Sequence, residues 1–211
     1  MFPTLQLEIL DRFTAVEKHF RAFKKKGELG QIAKGLAFVQ IHAIYEYTAK
    51  EVMRIAIHEI ASHGHHYADL KPSLLAVFLH PQLESVKDSG KHHAWERRID
   101  LFQRRSEKAP IAPVLVVPSD GSYFKHTQAQ LILKTLGVKR TLTRRRRHLF
   151  LIDEVVENRN KVSHGTETAA AIGKRYSRGD IIKKLKQMRR VCLRMIAIVS
   201  EHCSNPDWHC S

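Results

Sequence analysis

Three observations predict an all-α helical bundle. Apolar residues recur at three- and four-residue spacing over most of the chain, Gly and Pro gather in a few short stretches, and one brief run alone has β character. With 211 residues, 43% of them hydrophobic, the chain can bury one sizeable core, so a single domain over residues 1–211 is expected.

Leu5 to Phe23 reads as the first helix, with Leu7, Ile9, Leu10, Phe13, Val16 and Phe20 at helical spacing. Pro3-Thr4 starts it, and Lys24-Lys25-Lys26-Gly27 ends it with the cations and glycine that helix ends favour. A longer helix covers about Gln31–His63. Ile41, Ile44, Thr48, Val52 and Ile55 form one stripe on it, and Val39, Ala43, Met53 and Ile57 a second. Apolar residues on two faces predict burial from two sides, as for a central helix. Glu46 falls within the second stripe, with Lys50 one turn on. A carboxylate there must be paired or functional, because burying it alone is costly.

Pro72 to Leu83 predicts a short helix broken by Pro81, Lys87–Lys91 a loop, and Ala94 to Arg105 a helix with Trp95, Ile99 and Phe102 on one side. Residues 106–126 change character. Pro110, Pro113, Pro118 and the Ser119-Asp120-Gly121 turn signal exclude a helix, while Val114–Val117 is the short β-type run. This stretch is expected to be an ordered excursion packed on the bundle, near the substrate groove. Thr127–Leu136 returns to helix and Gly137 ends it; a further helix covers about Leu142–His164. Gly165–Gly179 reads as a linker. Asp180 is a good N-cap for the last helix, whose Ile181, Leu185, Met188, Cys192, Met195 and Val199 serve either the core or a subunit interface.

Charge narrows the partners. Thirty-six Lys and Arg against 21 Asp and Glu give a net charge of +15, which argues for a polyanion: RNA, DNA or an anionic membrane. Membrane is disfavoured, since the longest apolar runs, Leu74–Leu79 and Met195–Val199, fall far short of the ~20 residues a span needs. Met1-Phe2-Pro3-Thr4 lacks the layout of a signal peptide, and three cysteines make no disulfide framework, so the cytoplasm is the expected compartment. Neither a Gly-rich phosphate loop nor a Ser nucleophile elbow is found.

Residues 158–165, Asn-Arg-Asn-Lys-Val-Ser-His-Gly, carry the most chemistry. They set a permanent cation, an amide and a group titrating near neutral pH at one helix end. Cleaving RNA needs those parts: Arg to hold phosphate oxygens and His to move a proton. Gly165 suits the left-handed position after a last turn. Asn160 and His164 are i,i+4 neighbours with Glu157 on the same face, while Arg159 and His164 stand ~140° apart on an ideal helix. One copy therefore does not focus both side chains on one phosphate; two copies across a two-fold axis can. The same Arg and His also favour the helix dipole and last carbonyls without any catalysis.

Arg159 with Asn160 directly after it, then His164 and Gly165, resembles the Arg-x4–6-His signature of the HEPN superfamily. The helix from Phe38 to Ile60, with Tyr45-Glu46-Tyr47 at its centre, resembles the second HEPN helix, and residues 130–138 resemble the RiboL-PSP-type branch. The resemblance covers about residues 30–200. It implies a HEPN-like helical bundle, a homodimer, metal-independent endoribonuclease activity with no cofactor, and a role as a toxin or antiviral effector, with an antitoxin or partner protein in some members. Others have lost catalysis and only bind RNA or protein. On this reading Arg159, Asn160 and His164 are catalytic, and Glu46 either pairs with Lys50 or meets Arg159 and orients it. One toxin branch has Tyr two residues after the His; Thr166 stands there in this chain.

Arg144, Arg145, Arg146 and Arg147 outnumber the acids nearby, so they face solvent or grip RNA phosphates leading to His164, with Lys161 as a further contact. Lys183, Lys184, Lys186, Arg189, Arg190 and Arg194 add a second basic region, with no aromatic interleaving for base readout. No metal is assigned. His58, Glu59 and His63 miss the zincin spacing by one residue, His63-Gly64-His65-His66 reads as a solvated loop, and His202-Cys203 with His209-Cys210 lack the usual zinc spacing.

Overall fold

The computed structural model describes residues 1–90, 92–114, 116–118, 124–143 and 145–204. Its helices are α1 (Phe2–Ala22), α2 (Gly27–Ser62), α3 (Pro72–Phe78), α4 (His80–Asp88), α5 (Ala94–Ser106), α6 (His126–Thr135), α7 (Arg146–Ser163), α8 (Ala169–Lys174) and α9 (Arg178–Ser204), with a short 3-10 turn at Tyr67–Asp69. The fold is all-α, and among the described residues there is no strand.

The 36-residue α2 is the axis of the bundle, touched by α1, α7, α8 and α9. Its first stripe, Ile41, Ile44, Thr48, Val52 and Ile55, is buried throughout, whereas of the second Met53 and Ile57 are buried, Val39 is half-buried and Ala43 is exposed; Phe38, Ile41, Tyr45, Met53 and Ile60 are fully enclosed. The regular stripe of α9 goes into the same core, which settles its use: Ile181, Leu185, Met188, Cys192, Met195 and Val199 are all buried. Among the described residues, no helix is long and apolar enough to cross a membrane.

Several expected boundaries move, each for a local reason. Pro81 does not end a helix; it lies in the first turn of α4, where its missing N–H costs nothing. Asp180 is not the cap of α9. Ser177 Oγ accepts from the Asp180 N–H at 3.1 Å while the Asp180 carboxylate accepts from the Ser177 N–H at 2.9 Å, a reciprocal capping box. The Gly165–Gly179 stretch is no plain linker, because it contains α8, capped by Thr168 Oγ1 accepting from Ala171 N at 3.1 Å. The backbone of α8 lies directly on α2: a Cβ on Gly35 would stand 2.0 Å from the Ala169 carbonyl oxygen, and one on Gly173 1.9 Å from that of Gln31.

The run at 114–117 is not a strand among its described residues. Prolines 110, 113 and 118 remove ladder donors, and Val114 and Val117 pack on the core instead. The excursion is tethered where a solvated histidine loop was expected: Ile111 N–H donates to His65 O at 2.9 Å, and His65 and His66 are half-buried. The turn signal Ser119-Asp120-Gly121 lies outside the described residues, as do Arg144, His209 and Cys210.

Candidate functional site

The C-terminal end of α7 sets the site. Leu151, Ile152, Val155 and Val156 bury one side of the helix, and Asn158 continues that buried side into its last turns. The helix ends at His164, whose N–H donates to Asn160 O at 2.9 Å, and Gly165 follows at φ 68, the left-handed stop that the sequence predicts.

Asn158 locks this end in place. Its Nδ2 donates to Tyr176 Oη at 2.9 Å, and Tyr176 Oη donates to Glu154 Oε1 at 2.9 Å. Lys184 of α9 then pairs with Glu154 at 2.5 Å. The Tyr176 ring packs on Phe38 of α2 with centroids 4.9 Å apart. Asn158 and Tyr176 had no functional signal in the sequence beyond being polar residues beside the motif; their part is to hold α7, α9 and the α8 segment in register.

Arg159 is half-buried, and its Nη1 donates to Asn160 Oδ1 at 3.0 Å. The two residues named for catalysis are thus coupled to each other. Across from Arg159, α2 presents His42, Glu46 and Lys50 at four-residue spacing. Lys50 Nζ meets Glu46 Oε1 at 2.6 Å, and His42 Nδ1 lies 3.6 Å from Glu46 Oε2. Glu46 therefore pairs with Lys50 and also lies within the field of Arg159. Burial raises its carboxyl, but Lys50, His42 and Arg159 outweigh that and hold it below the ordinary range.

Sequence reading missed His42. Burial, reinforced by the Arg159 charge and opposed by Glu46, pushes its imidazole down to about 4, and its Nε2 is buried with no hydrogen-bond partner. It is a neutral ring beside a guanidinium. The i,i+4,i+8 series His42, Glu46, Lys50 was the available signal, since those positions share one helix face.

His164 is exposed at the helix end, on the face of α7 that also carries Glu157. Lys161 is not a loose cation: Glu167 holds it at 3.1 Å and Glu157 at 3.4 Å, and Glu167 also pairs with Arg175. Thr166 Oγ1 donates to Lys161 O at 3.2 Å, closing the turn after His164. Arg145, Arg146 and Arg147 are exposed at the opposite end of α7. An 18-residue helix puts them about 25 Å from His164. The fold brings Arg159 and Asn160 together, sets Glu46 within the electrostatic reach of Arg159, and leaves Arg145, Arg146 and Arg147 apart.

Among the described residues, no group of three or more His, Cys, Asp or Glu is placed to hold a metal ion. His202 Nε2 donates to Leu136 O at 3.0 Å, and Cys203 is buried, its thiol pushed by burial up to about 12.

No curated protein and no solved structure matches this chain. A family model described as HEPN_MAE_28990-like HEPN matches residues 8–208, nearly the full length. The chain therefore belongs to this family of HEPN domains.

Proposed function

We propose that the chain is a HEPN-type endoribonuclease that cleaves RNA as a homodimer, without a catalytic metal. The single observation that carries this is the Arg159–Asn160 pair, within electrostatic reach of His42 and Glu46 on α2, with an exposed His164 closing the same helix end. In this reading Arg159 binds the scissile phosphate and stabilises charge developing on its oxygens. Asn160 orients that guanidinium, and Glu46, with Lys50 and His42 around it, fixes its electrostatic surroundings. His164 moves the proton. As general base it takes hydrogen from the 2′-hydroxyl while O2′ attacks phosphorus; as general acid it gives one to the departing 5′-oxygen. One P–O bond forms and one breaks, leaving a 2′,3′-cyclic phosphate and a 5′-hydroxyl.

The homodimer reading has a further support. Phe150, 71% exposed, lies on the α7 face that carries Glu157 and His164, at seven-residue spacing from each to the next. An exposed aromatic in line with the histidine suits an isologous contact between two copies of α7. Residues 1–211 act as one domain in this reading, in the cytoplasm, as a toxin or antiviral effector with an antitoxin or partner protein. The likeness of residues 130–138 to the RiboL-PSP-type branch fits the same view. Arg145, Arg146 and Arg147, and Arg144 in sequence beside them, supply backbone grip, with Lys161 nearer the scissile bond.

The test is purified protein with total RNA in EDTA. Cleavage products carrying cyclic phosphate and 5′-hydroxyl ends are expected, and His164→Ala is expected to slow their formation by roughly 10²–10⁴-fold. RNA that is shifted on a gel yet never cut would assign the chain to the non-catalytic binding members instead.

A further inference from the structure

At the start of α7, far from Arg159 and His164, lies a cavity of about 710 Å³. Permanent cations enter it from three elements: Lys139 and Arg140 from the segment after α6, Arg145 from the α7 N-terminus, and Arg190 and Arg194 from α9. Among the described residues, no carboxylate lines it. Two of the cations are fixed in place. Arg194 Nε donates to Leu142 O at 2.9 Å and its Nη2 to Thr141 O at 3.4 Å, while Arg140 pairs with Glu201 at the rim. Arg145 and Arg190 make no ion pair with any described acid, although Thr143 Oγ1 accepts from the Arg145 backbone N–H at 3.2 Å. Like charges gathered at one opening raise its positive potential, which favours entry of an anion.

We propose that this cavity binds a multiply charged phosphate ester, either a nucleotide polyphosphate or the phosphorylated end of an RNA. Its volume is in the range of small-ligand sites, and Arg145, Arg190 and Arg194, none paired with a described acid, exceed what a single phosphodiester charge would balance. The site is separate from the proposed catalytic end and does not depend on it.

His148 supplies the signature. Its ring lies in the cavity wall, with Nδ1 3.2 Å from Thr143 Oγ1. Lys139 and Arg140 face it from one side, Arg190 and Arg194 from α9, and Arg145 and Arg147 from its own helix end. Burial first, then Arg147, Arg145 and Arg190, hold its imidazole below the ordinary range. A bound phosphate reverses the sign of that field and raises the affinity of His148 for a proton. Binding therefore takes up protons and strengthens as pH falls toward the ordinary histidine range of about 6.5.

Calorimetric titration of the full chain with inorganic pyrophosphate, at fixed ionic strength and in two buffers of different ionisation enthalpy, tests this. One site per chain is expected, with net proton uptake once the protons that pyrophosphate itself exchanges are subtracted. Arg145→Gln and Arg190→Gln should each weaken binding by about tenfold, the loss of one charge-assisted contact. His148→Gln should abolish the uptake while leaving helical circular dichroism unchanged. Binding that is unaffected by all three substitutions, or that involves many weak ions and no proton, would overturn the site. Parallel titrations distinguish the source. A nucleoside triphosphate that binds at least as tightly as pyrophosphate identifies a free nucleotide, whereas a 5′-phosphorylated oligoribonucleotide that outbinds its 5′-hydroxyl twin identifies an RNA end. Pyrophosphate has no bond for a ribonuclease to cut, so a chain without ribonuclease activity would still show the binding.

Discussion

The two ends of α7 carry similar residues to different effect. At the C-terminal end, Arg159 is half-buried, coupled to Asn160 and faced by an ordered His42, Glu46, Lys50 series. At the N-terminal end, Arg145 joins Lys139, Arg140, Arg190 and Arg194 around a cavity that no described carboxylate lines. The lesson is that charge density and charge placement are separate properties. A tract of cations attracts a polyanion from a distance, whereas a guanidinium bonded to the amide beside it presents its charge in a set direction.

That contrast can be tested, beginning with the largest effect. Arg159→Ala should reduce RNA cleavage by roughly 10²–10³-fold, with RNA affinity on a filter assay much less affected, because the proposed grip lies at the other end. Equal losses in both assays would erase the division of labour. Next is acid stability. The unfolded His42 titrates near 6.5 and the folded one near 4, so the unfolded chain binds more protons between those values. Stability is then full above about pH 6.5 and falls by roughly 3 kcal/mol as pH drops to 4. Thermal melts across that window should show His42→Gln losing less than the parent does; parallel curves would mean the ring is not held neutral. Gly35→Ala should destabilise by roughly 1–3 kcal/mol in urea titrations, since the new methyl meets the Ala169 carbonyl. Tyr176→Phe should cost about 1 kcal/mol in the same titrations by breaking the Asn158–Tyr176–Glu154 relay.

Sequence alone gave a good account of long helices and a poor one of short contacts. The spacing of apolar residues in α2 and α9 made their burial readable, and Gly165 announced the end of α7. Periodicity misleads about α5, whose Trp95, Ile99 and Phe102 form a clean stripe yet stay 70%, 54% and 63% exposed. An amphipathic pattern predicts a helix, not what covers it. The reverse holds for α8. Its six residues bear little pattern because small side chains and two glycines make the contact, and backbone packed on backbone leaves no hydrophobic period. At the site, Arg159, Asn160 and His164 were legible as a motif. Burial of His42 and the relay through Tyr176 were not, since both depend on which faces of three helices meet.

The close approach at Gly35 and Gly173 reaches further than local packing. Residues 165–168 are all that separates His164 from α8, and α8 is clamped to the central helix by two positions that lack side chains. The imidazole is thus moored at both ends, by its own helix behind and by a glycine seat ahead. The backbone that carries the ring is bounded ahead by two positions, 35 and 173, whose neighbours leave room for no more than a hydrogen atom.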